Sequence, residues 1–202
     1  MKHTSTKPKG ATTYKQTAFG IIPRDELILH EIEGTRRGLE FVATNYYEEL
    51  TPQLIIELHK ISFGWIFPDW AGKYRTIPVE YSGKEAPLPH LVPQLMLGLC
   101  EDLKERIKHL DFSRVGNIIE LLAWFQHRFV VIHPFQDFNG RLARMLTSFI
   151  LLKLELPPIE IAANTKTDRD HYLEAMYKAD EGDLTKLQKL IETALDESLS
   201  LP

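Results

Sequence analysis

Residues 130–144 read VVIHPFQDFNGRLAR, and this stretch separates two segments whose apolar residues recur every three or four positions. The apolar positions before it are Val115, Ile118, Ile119, Leu122, Phe125 and Phe129, and those after it are Leu142, Leu146, Phe149, Ile150 and Leu154. This spacing predicts an amphipathic helix on each side. The stretch is therefore interpreted as a loop that leads into a helix N-terminus.

Helical patterns also dominate the rest of the chain. Residues 25–47 are mostly helical in pattern, although we expect Gly34 and Gly38 to interrupt them. Thr51-Pro52 is a typical helix start, and it predicts a helix over residues 53–63. The other predicted boundaries are a cap at Ser113 for a helix running to about Val131, a stop at Pro157-Pro158, and a break at Gly182-Asp183 between two C-terminal helices.

A single stretch has an extended pattern. Residues 74–81 read YRTIPVEY, which places Ile77, Val79 and Tyr81 on one side of a strand. Pro78 restricts such a strand to a sheet edge, and Ser82-Gly83 is a turn signal. The predicted fold class is therefore all-α, with one small, exposed β-hairpin or flap.

Composition and charge limit the domain organisation and the class of partner. The 202 residues carry a net charge of −4, which disfavours a dedicated nucleic-acid binder. Residues 1–24 carry five basic residues before the first acidic one and are interpreted as a flexible or docked N-terminal arm; the alternative is a contact arm for an acidic partner. Residues 25–49 form a separate N-terminal helical segment, and residues 50–202 form the main domain.

Cysteine usage and hydropathy bear on the compartment. Cys100 is the one cysteine, so no internal disulfide is expected. We expect no apolar run long enough to span a bilayer and no secretory signal. These features predict a soluble, cytoplasmic protein that does not interact with membranes.

Several residues of the 130–144 stretch have side chains suited to phosphate chemistry. A helix N-terminus offers free backbone N–H groups to an anion, and Arg141 and Arg144, three positions apart, can lean over the same site. His133 is a candidate general base, since a neutral imidazole accepts a proton near neutral pH. Asp137 is a candidate Mg²⁺ ligand, because one carboxylate together with substrate phosphates commonly holds this ion. Each residue by itself would more often be structural, and it is their combination that indicates a site.

These residues resemble the signature of the Fic family. The family pattern is HPFx(D/E)GNGRxxR, and residues 133–144 read HPFQDFNGRLAR. The resemblance extends over roughly residues 50–195. It includes Leu54, Leu58 and His59 of an opening helix, and the segment from Trp70 to Arg75 that leads into the family's flap.

The resemblance implies an all-helical fold with a hairpin flap, and a reaction. The reaction is Mg²⁺-dependent transfer of AMP from ATP to a Ser, Thr or Tyr hydroxyl of a target protein. His133 would be the base and Asp137 would hold Mg²⁺. The nucleotide-binding positions would be Phe138, Asn139, Gly140, Arg141 and Arg144. The flap at Ile77, Val79 and Tyr81 would dock the target. Whether the chain forms homo-oligomers is left open.

Phe138 departs from the pattern, because the family usually has glycine at this position. Glycine reaches positive φ without strain, whereas a phenylalanine resists it. Either the ring points away and leaves the backbone amides usable, or the nucleotide pocket is reshaped. Gly140 stands where kinase-like relatives carry lysine, which favours nucleotidyl transfer over phosphoryl transfer.

A regulatory residue is also predicted. Many Fic proteins carry an inhibitory helix with the pattern (S/T)xxxE(G/N), and Glu33-Gly34 resembles its end, although position 29 is leucine. The resemblance implies an inhibitory ion pair between Glu33 and Arg144; the alternative is a solvated glutamate. The alternatives for the whole chain are a degenerate nucleotide- or protein-binding module, and a transferase with a different nucleotide donor.

Overall fold

Seven α-helices and one two-stranded hairpin are present in residues 16–81, 83–163 and 165–200, which are the residues described by this computed structural model. The helices are α1 (Arg24–Asn45), α2 (Pro52–Phe63), α3 (Val92–Lys108), α4 (Val115–Ile132), α5 (Asn139–Lys153), α6 (Lys166–Asp180) and α7 (Thr185–Leu199). The strands are β1 (Glu80–Tyr81) and β2 (Lys84–Glu85), and a 3-10 turn covers Pro89–Leu91. The predicted all-α class with a small hairpin is confirmed.

The helix before the 130–144 stretch lies at the centre of the fold. Helix α4 packs against α3, α5 and α7, and Leu122, Phe125 and Phe129 on it are fully buried. By length and composition this 18-residue helix is apolar enough to cross a membrane, contrary to our expectation. Half of it is buried within the fold, as in the core helix of a soluble protein, so it is weak evidence for a membrane span.

Helix α1 packs against α2 and α5, and it is not interrupted by its glycines. Gly34 and Gly38 are buried at the contact with Ser62 and Phe63 of α2 and Met145 of α5. A Cβ at Gly34 would lie 2.4 Å from the Ser62 carbonyl oxygen. The glycines therefore allow two helices to approach closely, and the predicted interruption is wrong.

The segment before α1 docks on the domain where it is described. Ala18 donates its backbone N–H to the Ile66 carbonyl over 2.8 Å, and Ile22 is buried. The lysines at positions 2, 7, 9 and 15 lie outside the described residues.

The predicted helix ends are partly confirmed. The Thr51 side chain accepts a hydrogen bond from the Leu54 N–H over 3.2 Å, as a capping threonine does. Ser113 is not a cap, because α4 begins at Val115 and the Ser113 hydroxyl donates to Asp111 instead. Helix α5 ends at Lys153, before the two prolines, and α6 and α7 form the predicted C-terminal pair.

The hairpin is shorter than the sequence pattern predicts. Strand β1 covers Glu80–Tyr81, and Ile77 lies outside it. The antiparallel register pairs Glu80 with Glu85 and Tyr81 with Lys84. An additional hydrogen bond runs from the Ala86 N–H to the Val79 carbonyl. Pro78 has no N–H for a ladder, which is consistent with the short strand.

Candidate functional site

The loop between α4 and α5 is held by two residues with left-handed backbone conformations. His133 follows α4 with φ 49°, and Phe138 precedes α5 with φ 65°. At the start of α5 the side chain of Asn139 reaches back across the loop: it accepts a hydrogen bond from the Phe135 N–H and donates one to the Phe135 carbonyl, both over 2.9 Å. Asn139 and Phe135 are buried, so this amide closes the loop. Asn139 can therefore offer a phosphate its backbone N–H and the second hydrogen of its Nδ2 amide.

His133 has its Nε2 atom available as a proton acceptor. Its Nδ1 lies 3.1 Å from the Val130 carbonyl oxygen. Because a carbonyl oxygen only accepts, Nδ1 carries the proton and Nε2 keeps its lone pair in the neutral ring. Burial lowers the pKa of His133 to about 4, and the Arg75 charge acts in the same direction. The imidazole is thus neutral over the whole physiological pH range.

Arg75 joins the His133 loop to the base of the hairpin. Its guanidinium donates to the carbonyls of Ile132 and His133 and to those of Ile77 and Pro87, over 2.6 to 3.3 Å. The side chain is buried and burial lowers its pKa. Arg75 therefore fixes the backbone on both sides of His133. In the sequence, Arg75 is recognisable only as the end of the segment that leads into the flap, and its position indicates no role.

A second histidine, the fully buried His59, supports the other half of the loop. Gly72 donates its N–H to His59 Nδ1 over 2.8 Å, so Nε2 carries the proton and donates to the Asp137 carbonyl over 3.2 Å. The His59 ring also stacks on Phe135, with centroids 3.9 Å apart. Burial lowers the pKa of His59 to about 4. His59 is a positioning residue, and nothing in its spacing indicated this.

The Phe138 ring points into an aromatic pocket. It stacks on Phe63 at 4.0 Å between centroids and lies 5.6 Å from Phe67 and 5.9 Å from Trp70. The side chain is buried, while the backbone adopts the positive φ that glycine would favour. Of the two sequence-based alternatives, the geometry therefore matches the one in which the ring points away.

A cavity of about 320 Å³ opens beside this loop. Its lining includes His133, Asp137, Phe138, Asn139, Gly140, Arg141, Arg144 and Tyr81, together with Arg24 and Glu31 of α1. The structure thus brings the predicted catalytic, metal and nucleotide-binding residues to one cavity. At Gly140 a Cβ would meet only the Arg144 guanidinium, at 3.8 Å, so glycine leaves this part of the cavity open.

Glu31, and not Glu33, forms the ion pair between α1 and the motif. Glu31 Oε2 lies 2.7 Å from an Arg141 terminal nitrogen, and its Oε1 lies 3.0 Å from one of Arg24. The Glu31 carboxylate is buried, whereas both guanidiniums are partly exposed. The sequence signal for Glu31 was weak, because its neighbour Glu33 matched the family pattern better.

Glu33 lies on another face of α1. It is bound by Arg36 at 2.7 Å and by Arg37 at 2.9 Å, and hydrogen bonds from these two arginines lower its pKa to about 2. Arg144 lies over the Tyr172 ring, 5.4 Å from the centroid. The predicted Glu33–Arg144 pair is therefore not formed, because the face of α1 that carries Glu33 is turned away from the cavity.

The residues present fit Mg²⁺ only if phosphates supply further ligands. Asp137 is the motif carboxylate on the cavity, and its Oδ1 accepts the Phe138 N–H over 2.7 Å. Among residues 16–81, 83–163 and 165–200, no group of three His, Cys, Asp or Glu side chains could hold a metal by itself. One carboxylate is nevertheless the usual protein share where substrate phosphates complete the shell.

The flap residues differ in their positions. Tyr81 stacks on the His133 ring, with centroids 5.2 Å apart and planes 13° from parallel. Ile77 is 47% exposed, and its carbonyl accepts from Arg75. Val79 is partly buried at the hairpin base. Of the residues predicted to dock the target, Tyr81 thus lies against His133, the candidate general base, and Ile77 lies on the surface.

Comparison with known proteins agrees with this fold and loop. The sequence model of the Fic/DOC family matches residues 49–151, about half of the chain. A protein adenylyltransferase Fic of Nematostella vectensis is 29% identical over 188 residues, which are 88% of this chain and 41% of that protein. The chain belongs to the Fic/DOC family.

Solved structures share the fold. A Fic-domain-containing signalling protein from Bacteroides thetaiotaomicron superposes with a TM-score of 0.72 at 24% identity, covering 85% of this chain and 69% of that one. The N-terminal Fic domain of a VirB-translocated Bep effector protein from Bartonella quintana gives a TM-score of 0.73 at 19% identity, covering 93% of this chain and 90% of that one. The chain spans less than half of the length of the curated relatives it resembles, as in the 41% for the Nematostella protein and 35% for a Caenorhabditis briggsae relative.

Proposed function

We propose that the chain transfers AMP from ATP to a hydroxyl group of a target protein. The observation that carries this proposal is the neutral His133, whose Nε2 has a free lone pair in a cavity that also contains the α5 N-terminus and two arginines. A base, an anion site and fixed positive charges are what an in-line attack of a hydroxyl on a phosphate requires. Curated relatives named protein adenylyltransferase at 27–29% identity support the same reaction class.

The chain's own residues supply positioning and charge. His133 Nε2 takes the proton of the target Ser, Thr or Tyr hydroxyl as the hydroxyl oxygen attacks the α-phosphorus of ATP. The bond between the α-phosphorus and the α,β-bridging oxygen breaks, and pyrophosphate leaves with that bridging oxygen. The backbone N–H groups at the start of α5, with Arg141 and Arg144, neutralise the phosphate oxygens. Asp137 would hold Mg²⁺, which supplies further charge neutralisation when bound. Hairpin residues Ile77, Val79 and Tyr81 would receive the target chain beside His133.

The test of the activity is transfer of label from ATP labelled at the α-phosphate, with Mg²⁺ and a cell lysate. Label on protein that disappears in His133→Asn would support the proposal, since asparagine tolerates the positive φ but is no base. Label that persists in His133→Asn would contradict the mechanism. Stronger protection from thermal unfolding by another nucleoside triphosphate would indicate a different donor. Binding without any transfer would indicate a nucleotide-binding module.

We propose further that Glu31 restrains this activity. Its buried carboxylate binds Arg141 at 2.7 Å and so occupies the guanidinium that a phosphate would use. A phosphate and the carboxylate compete for the same donors, because both need the charged fork of the arginine. Loss of the carboxylate should therefore increase nucleotide binding and transfer.

Matched variants of α1 test this restraint. Glu31→Gln keeps the size of the side chain and removes its charge, while Glu33→Gln makes the same change where the partners are Arg36 and Arg37. We expect roughly tenfold tighter nucleotide binding for Glu31→Gln, the equivalent of about 1.4 kcal/mol, and little change for Glu33→Gln. An increase in Glu33→Gln alone would contradict the proposal and support the assignment made from the sequence.

A further inference from the structure

Asp180, the last residue of α6, has two partners outside the 130–144 motif. Its Oδ1 lies 2.9 Å from His127 Nε2 on α4, and its Oδ2 lies 2.9 Å from Lys84 Nζ on the hairpin. The carboxylate side chain is only 8% exposed. Burial acts to raise the pKa of Asp180, but the hydrogen bonds from His127 and Lys84 outweigh it and leave the pKa below its ordinary value. Asp180 is therefore an ionised carboxylate that links α4, α6 and the hairpin.

The register of the hairpin connects this contact to the candidate base. Lys84 is the antiparallel partner of Tyr81, and directly opposite residues project their side chains on the same face of a sheet. Tyr81 is the residue whose ring stacks on His133. An ion pair that holds Lys84 therefore also holds its cross-strand partner Tyr81, whose ring stacks on the His133 imidazole.

The short hairpin needs such a restraint. Each strand has two residues, and an isolated two-stranded hairpin is marginally stable in water. Arg75 holds its base through the carbonyls of Ile77 and Pro87. At the turn end of the hairpin, the ion pair found among the residues that the structure describes is the one between Lys84 and Asp180.

We propose that Asp180 is a positioning residue that latches the hairpin through Lys84, so that the Tyr81 ring lies on His133 and fixes the plane of the imidazole. The catalytic role of this fixed imidazole orientation rests on the function proposed above. Nδ1 of His133 already has one fixed partner in the Val130 carbonyl, and a ring stacked on its face restricts the remaining rotation. Lys84 is 48% exposed, so water screens this ion pair and limits how strongly it holds the hairpin.

The first test reads the stacking directly and needs no activity. An aromatic ring stacked on an imidazole shifts the imidazole C–H resonances upfield, so Tyr81→Leu should remove that shift from the His133 signals. We expect Lys84→Met and Asp180→Asn to reduce the shift, and the double variant to reduce it no further than Lys84→Met does. The control is Lys178→Met on the same helix, which removes an exposed ion pair with Glu181, the residue that follows α6. Unchanged His133 signals in both Lys84→Met and Asp180→Asn would overturn the proposal.

The second test is kinetic. For Lys84→Met we expect kcat/KM for the target to fall about two- to fivefold, as a half-exposed ion pair implies, with nucleotide binding unchanged. A fall equal to that of Lys178→Met, or weaker nucleotide binding in step with transfer, would contradict a positioning role. No transfer by the wild-type chain would contradict the proposed function alone, since the resonance test judges the latch separately.

Discussion

At the scale of single residues, Phe138 shows how a motif loop keeps its shape without the usual glycine. Its φ of 65° is costly for any residue with a Cβ, by roughly 1–2 kcal/mol. The ring is buried against Phe63, Phe67 and Trp70, which offsets this cost. The ring thus anchors the N-terminus of α5, where Asn139 and Gly140 line the cavity.

This balance predicts an order of stabilities at position 138. Phe138→Gly removes the buried ring and the strain together, and should lower the free energy of unfolding by about 2–4 kcal/mol. Phe138→Ala loses the ring but keeps the strain, and should be less stable than Phe138→Gly by about 1 kcal/mol. Urea denaturation of both variants measures the difference. An alanine variant as stable as the glycine variant would show that the backbone is not strained.

At the scale of elements, α1 depends on glycines for its position. Gly34 lies against the backbone of α2, and Glu31 is about one helical turn earlier on the same side of α1. Close approach of the two helices therefore brings Glu31 to Arg141. The sequence-based boundary at residue 49 separates α1 from the main domain, although α1 packs directly on α2 and α5.

Gly34→Ala should disturb this contact. The new Cβ would meet a carbonyl oxygen at 2.4 Å, so a backbone must move, and overpacking of this kind costs about 1–3 kcal/mol. Gly98→Ala is the matched control, because Gly98 lies inside α3 with nothing within 4 Å of the added Cβ. We expect this control to gain about 0.5–1 kcal/mol from lower backbone entropy in the unfolded chain. Thermal and urea unfolding of both variants distinguish the two effects.

At the scale of the whole molecule, two neutral histidines, the buried His59 and the partly buried His133, hold the two halves of the motif loop and link stability to pH. Burial lowers the pKa values of His59 and His133 to about 4, below their ordinary 6.5. Below pH 6.5 the unfolded chain therefore takes up protons that the folded chain does not. The two neutral histidines therefore contribute fully to the free energy of unfolding above pH 6.5. This contribution is lost as the pH falls toward 4.

The free energy of unfolding should therefore fall between pH 6.5 and pH 4, by up to ~3 kcal/mol for each histidine. Carboxylates titrate in part of this range, so the comparison is made between variants. His133→Asn should show a shallower fall than the wild type, while His109→Asn changes a ring that is 73% exposed and serves as control. Equal slopes in urea denaturation across pH for the wild type and His133→Asn would show that His133 is not held neutral. The pH dependence of kcat/KM gives a second measurement of this pKa. A fall of kcat/KM near pH 6.5 instead of near pH 4 would also show that His133 is not held neutral.

Much of the fold and of the site is readable from local sequence. Helical periodicity gave α2, α5 and the C-terminal pair, and Thr51-Pro52 gave the start of α2, because spacing and capping chemistry act within a few residues. The site residues from His133 to Arg144 are close in the chain, so a single loop and helix start bring them to one cavity.

The sequence by itself thus determined the all-helical class, the loop and its candidate base, because these depend on neighbours along the chain. Only the tertiary structure decided which glutamate meets the motif. Positions 31 and 33 lie about 200° apart around a helix of 3.6 residues per turn, so they face different directions. Which face turns inward is set by the packing of Gly34 and Gly38 against α2 and α5, a contact between segments far apart in the chain. The supports from His59, Arg75 and Asp180 were hidden for the same reason, since each joins elements that only folding brings together.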